Sequence, residues 1–170
     1  MSEKQKRIPI PKVFTEGRFQ TQTEMLQLQR KPNKLFIGIP REITMQENRV
    51  ALVPASIASL IGHGHRVVVE KDAGENANYS DNDYSEVGAD IAYSPEQVYK
   101  ADIILKVAPP TIEELEYLRP NQILISPLQI PIISSEFISR LKQKRVIALA
   151  MEYIRDDIGS FPLVRIMSEM

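Results

Sequence analysis

Asp102-Ile103-Ile104-Leu105-Lys106-Val107, followed at once by Ala108-Pro109-Pro110, is the stretch that decides the fold. Four of its six residues are apolar, with little in/out alternation, as expected of a strand buried on both faces. The two prolines stop it, because they cannot donate to a ladder. Similar runs lie on either side: Leu35 to Ile39, Arg66 to Glu70 and Asp90 to Tyr93 before it, Gln122 to Ser126 and Arg145 to Met151 after it. Helical spacing fills the intervals. Pro54 opens a helix with Ile57, Leu60 and Ile61 on one face and Gly62 or Gly64 at its end. Ser80 caps a short helix with Asp83 in its first turn, closed by Gly88. Ser94-Pro95-Glu96-Gln97 combines capping-box spacing with a proline at the first helical position. Ser134 or Ser135 starts a further helix, with Phe137, Ile138 and Leu141 facing inward and Lys142, Gln143 and Lys144 facing water.

Alternation of this kind predicts an α/β fold: a mostly parallel sheet, helices on both faces, flavodoxin-like or Rossmann-like. In such sheets ligands sit beyond the carboxyl ends of the strands. Chemistry is therefore to be sought there.

Composition narrows the classes. The chain has 170 residues, 43% of them hydrophobic, and a net charge of −1, so collagen-like, disordered and supercharged readings fail. No apolar run approaches the roughly 18 to 20 residues that span a bilayer, and no apolar stretch follows Lys4, Lys6 and Arg7, so a cytoplasmic protein is expected. The absence of cysteine and the presence of only two histidines argue against a structural transition metal. Residues 1–34 hold eight basic and three acidic side chains, which marks them as a basic, polar extension ahead of a domain over 35–170. No recognition motif or interleaved aromatics accompany those charges, and no nucleic-acid partner is expected.

Candidate site residues each carry two readings. Lys106, at the end of its strand, either reaches a ligand or snorkels to water. Arg49, in Glu47-Asn48-Arg49-Val50, either holds a carboxylate in its planar fork or pairs with Glu47 or Glu42. Gln129 hydrogen-bonds but does not titrate. Glu113, Glu114 and Glu116 read as a solvated helix face. The glycines, at 17, 38, 62, 64, 74, 88 and 159, form no phosphate-binding loop, and Gly62-His63-Gly64-His65 lacks the third glycine and precedes a strand instead of following one.

Several segments, taken in order, carry a resemblance. They are Ile37-Gly38-Ile39-Pro40-Arg41-Glu42, Glu47 to Pro54, Gly64-His65-Arg66-Val67-Val68-Val69-Glu70, Ala73-Gly74, Tyr79-Ser80-Asp81, Ala101 to Val107 and Met167-Ser168-Glu169. Residues 36 to 169 thereby resemble the N-terminal lobe shared by alanine dehydrogenases and the NAD-binding component of pyridine nucleotide transhydrogenases. The resemblance implies the substrate-side lobe of an NAD(P)-linked oxidoreductase, interconverting L-alanine and pyruvate. A 2-oxo or 2-amino acid would be its substrate, and a homo-oligomer its assembly. Arg49 is similar by position to the family's carboxylate-binding arginine, Lys106 to its lysine on the substrate carbonyl oxygen, and Ser168 to a serine touching the cofactor. Gln129 stands where alanine dehydrogenases place an acid/base histidine, which leaves Lys106 as the candidate for proton transfer. The nucleotide-binding lobe, which would hold most of NAD or NADP, is absent from these 170 residues. A transhydrogenase-like component, or a non-catalytic sensing or assembly module, is the alternative that Gln129 allows.

Overall fold

The structure is a computed structural model that describes residues 34–44 and 46–163. The expected basic extension, Lys34 apart, and Ser168 lie outside the described residues.

Six strands form one parallel sheet: β1 (Phe36–Ile39), β2 (Arg66–Glu70), β3 (Asp90–Ala92), β4 (Ile103–Leu105), β5 (Ile123–Ser126) and β6 (Ile147–Ala150). Their order is β3-β2-β1-β4-β5-β6, the doubly wound Rossmann-like order and not the flavodoxin-like one. The chain thus winds outward from β1 to β3 and then restarts at β4 on the other side of β1. Between β1 and β4 lies the topological switch point.

Strand periodicity sorts the core into two layers. On one face Ile37, Ile39, Val67 and Val69 pack with Ile57, Leu60 and Ile61 of α1 (Pro54–Gly62) and Tyr84 of α2 (Asp81–Glu86). On the other, Val68, Ile104 and Leu124 pack with Val98 of α3 (Pro95–Val98), Leu115 of α4 (Ile112–Glu116), and Phe137 and Leu141 of α5 (Ser135–Lys144). At the far edge Ile147 and Leu149 are 50% and 43% exposed, so β6 has one uncovered face among the described residues.

Local signals behave as the sequence suggests, with three corrections. Ser80 and Asp83 form a full capping box, and Ser134 caps α5. At Ser94 the side chain makes no cap bond, although Pro95 does begin the helix. Ile138 is exposed instead of inward, because Phe137 and Leu141 alone occupy the buried stripe of α5. Glu114 is not solvated; it is 5% exposed, turned back toward its own helix start by the capping box it forms with Thr111.

Gly38 in β1 shows how closely α3 and the turn after it pack. A Cβ there would stand 2.7 Å from the Val98 carbonyl oxygen and 2.9 Å from Ala101 Cβ. The oxygen is backbone and cannot swing away. Gly38→Ala is expected to destabilise the fold by roughly 1 to 3 kcal/mol, visible as a lower urea midpoint with an unchanged m value.

Candidate functional site

The loops after β1, β4 and β5 meet in a crevice of about 380 Å³ at the carboxyl edge of the sheet. Its walls include Glu47 and Arg49 from the first loop, Val107 and Pro109 from the second, and Pro127 and Gln129 from the third. Arg49 and Gln129, far apart in sequence, therefore line one cavity of small-ligand size.

Arg49 is half-exposed and held from behind. Its Nε and Nη2 donate to the two Glu47 carboxylate oxygens at 2.8 and 2.7 Å, and its backbone N–H donates to Glu47 Oε1 at 3.0 Å. These bonds hold the Glu47 carboxyl below its ordinary range. The pairing expected of Arg49 is thus made, with Glu47 and not with Glu42. Nη1 has no partner among the described residues, which leaves one edge of the fork for a second carboxylate.

Lys106 does not snorkel. Its side chain is fully buried, with Nζ 2.7 Å from Glu114 Oε1 and 3.0 Å from Glu42 Oε2. Leu105, the residue before it, ends a strand buried among its neighbours, so the next side chain enters the layer under α4, where Glu114 waits. Lys106 is doubly paired and does not itself line the crevice; Val107 and Ala108, which follow it, do.

Carboxylates lace this edge together. Glu70, ending β2, accepts the Arg41 N–H at 2.9 Å; Glu42, after β1, accepts the Val107 N–H at 2.6 Å. Glu152, after β6, accepts the N–H groups of Leu128 and Gln129 at 3.0 and 2.7 Å. That grip fixes Gln129 in the left-handed region, φ 50° and ψ 48°, uncommon for a residue with a side chain. Burial pushes the carboxyls of Glu42 and Glu70 above their ordinary range, against the pull of Lys106 and of the backbone N–H groups. A carboxyl raised in this way stabilises the fold as the acid, fully below its ordinary pKa, and the contribution is lost as pH rises through the shifted value. Keeping two of them at one strand edge works against stability at neutral pH, a mark of sites held for chemistry. Two buried side-chain atoms among the described residues lack a hydrogen bond, Glu42 Oε2 and Ser126 Oγ, and both lie at this edge.

Comparison with known proteins gives the family. Residues 38–170 match the family model described as alanine dehydrogenase/PNT, N-terminal domain. The chain belongs to that family. It is similar to the alanine dehydrogenase of Bacillus subtilis (strain 168), 38% identical over 136 residues, which are 80% of this chain and 35% of the relative. The alanine dehydrogenase of Staphylococcus saprophyticus is 36% identical over 80% of this chain and 36% of its own. Among solved structures, an L-alanine dehydrogenase superposes with a TM-score of 0.76 at 32% identity, over 79% of this chain and 37% of that one. A transhydrogenase from Sinorhizobium meliloti gives 0.65 at 30%, over 70% and 35%. The chain spans about a third of the length of the relatives it matches. No helix among the described residues is long and apolar enough to cross a membrane, and no group of three or more potential metal ligands occurs among them.

Sequence reasoning picked out Arg49, Lys106 and Gln129, with Glu47 as a partner of Arg49, and missed what Glu42, Glu114 and Glu152 hold. Only Glu114 carried a readable signal: Thr111-Ile112-Glu113-Glu114 has capping-box spacing. Glu42 and Glu152 act across loops, where spacing says nothing.

Proposed function

We propose that this chain supplies the substrate-side half of an NAD(P)-linked oxidoreductase site of the alanine dehydrogenase type. A small 2-oxo or 2-amino carboxylate would lie in the crevice between Arg49 and Gln129. The observation that carries the reading is the convergence of those two residues beside the β1/β4 switch point. The open edge of Arg49 takes the ligand carboxylate. Gln129 lines the opposite loop and offers an amide to the polar group at C2. Lys106 meets the oxygen at C2 only if its ammonium turns out from Glu42 toward the crevice.

The described residues do not fit a dinucleotide. Pro40-Arg41-Glu42 after β1 has no glycine, and Glu42 and Glu47 place carboxylates where a pyrophosphate would need N–H groups. NAD or NADP, the hydride carrier, is therefore assigned to a separate nucleotide-binding lobe, with Ser168 as this chain's own contact to it. Gln129, unable to exchange a proton, is the observation favouring the second reading, a transhydrogenase-like component or a ligand-sensing module.

Titrating the chain with pyruvate, followed by amide chemical shifts, tests the reading. Shifts are expected at Arg49, Val107 and Gln129. Arg49→Ala should weaken binding by roughly 10 to 100-fold, the value of a charge-assisted pair. Unmoved shifts, or equal binding by the variant, would remove the crevice as the substrate site.

A further inference from the structure

Lys106 lies between two carboxylates whose surroundings differ, and the difference assigns them separate roles. Glu114 has donors on both oxygens. Its Oε1 accepts from Lys106 Nζ at 2.7 Å and from the Tyr99 hydroxyl at 3.3 Å, and its Oε2 accepts the Thr111 N–H at 2.8 Å. Glu42 has a directed hydrogen bond on one oxygen and an ion pair on the other. Oε1 accepts the Val107 N–H, whereas the buried Oε2 faces Lys106 Nζ at 3.0 Å without a directed hydrogen bond. We infer that Glu42 is the proton store of this site, holding on Oε2 the proton that Gln129 cannot carry and passing it on through Lys106, while Glu114 remains the lysine's fixed counter-ion. The inference rests on the function proposed above.

The groups around Glu42 agree. From the end of β4 it meets Lys106 and the Val107 and Ala108 N–H groups, on its own loop the more distant Arg49, and from the end of β2 Glu70 shares its surroundings. Tyr99, beyond Lys106, has its hydroxyl pushed far above the ordinary phenol range by burial and by Glu114, with Glu70 and Glu42 adding to the effect, so it stays neutral. One ammonium thus faces three carboxyls, and burial favours the acid form of Glu42.

The step needs no cofactor. Ammonia adds to the carbonyl carbon of the 2-oxo acid to give a carbinolamine, whose hydroxyl must leave as water. The C–O bond breaks, the nitrogen lone pair forms C=N, and the departing oxygen takes a proton from Lys106 Nζ. The neutral amine then takes the proton from Glu42 Oε2, which leaves Glu42 as carboxylate and Lys106 as ammonium. Protonated Glu42 holds the lysine less tightly than the carboxylate does, so the same proton lets Lys106 turn toward the ligand.

Glu42→Gln keeps the shape and the acceptor for Val107 N–H while removing the proton. In the protein joined to its nucleotide-binding lobe, it should lower kcat for pyruvate amination by about 10² to 10³-fold with KM within about threefold, and it should abolish the limb of the pH profile that follows Glu42. Glu114→Gln should leave that limb in place. Carbon-detected titration of the glutamate carboxyls in the 170-residue chain gives an independent reading: Glu42 should titrate above the ordinary glutamate range, and further above it in Lys106→Met. An ordinary Glu42 titration, or a pH limb that survives Glu42→Gln, would overturn the inference. Absence of amination in every form would instead overturn the proposed function, leaving the carboxyl titration to decide the state of Glu42.

Discussion

Lys106→Ala is expected to cost the fold about 3 to 5 kcal/mol, more than any other single side-chain truncation at this edge. The side chain is fully buried, and its removal leaves two carboxyl groups, 5% and 7% exposed, without the ammonium they share. An exposed pair such as Arg66 with Asp90 carries no comparable penalty, because water solvates both partners once they part. Denaturation at neutral pH measures the loss. Lys106→Met combined with Glu114→Gln should recover much of it, since the orphaned anion rather than the missing contact carries the cost, and the departure from additivity reads the coupling directly. The gap should also shrink toward pH 4, where carboxyls take up protons. A loss below about 1 kcal/mol would mean that water reaches the cluster and that the burial is not real. One consequence concerns activity: a dead Lys106→Ala enzyme would not distinguish lost chemistry from lost structure, which makes Glu42→Gln the cleaner probe.

The strand positions were legible because they rest on local patterns that survive folding, whereas the strand order that places the switch point was not. Apolar runs ended by Pro109 or begun after Gly64 mark strands whatever surrounds them, and Ser80 and Ser134 mark helix starts. The site was legible in part. Lys106 announces itself by charge at a strand end, and Arg49 by charge in the loop after the first strand with Glu47 two residues away, yet the partners of Lys106 could not be read, because a carboxylate that crosses from one loop to the next leaves no period in the sequence. Glu42 shows the limit best. It lies seven residues before Arg49, close enough to suggest a pair, and the fold carries it to Lys106 instead, sixty-four residues away. The solvated reading of Glu114 failed for a different reason: its neighbours Glu113 and Glu116 are indeed exposed, and charge composition alone cannot tell the N3 residue of a capping box from the rest of the turn.

Gln129→His should give the largest gain of function available at this site, about 10² to 10⁴-fold in pyruvate amination when made on the Glu42→Gln background, where no other group supplies the proton, in the protein joined to its nucleotide-binding lobe. The position suits the change. Gln129 is exposed on the crevice wall, so an imidazole there needs no repacking of the core. Its left-handed backbone is one that histidine adopts more readily than most residues. Glu152 holds that backbone through two successive N–H groups, a bond that does not depend on the side chain at 129. A new limb in the pH profile near neutrality would identify the imidazole as the group responsible. Because the wild type is inferred to draw its proton from Glu42, the histidine variant should also become less sensitive to Glu42→Gln, the two groups serving one oxygen by separate routes. A variant that gains nothing, in a protein that still binds pyruvate through Arg49, would show that the crevice holds its ligand for a purpose other than amination, and alanine would then be abandoned as the substrate.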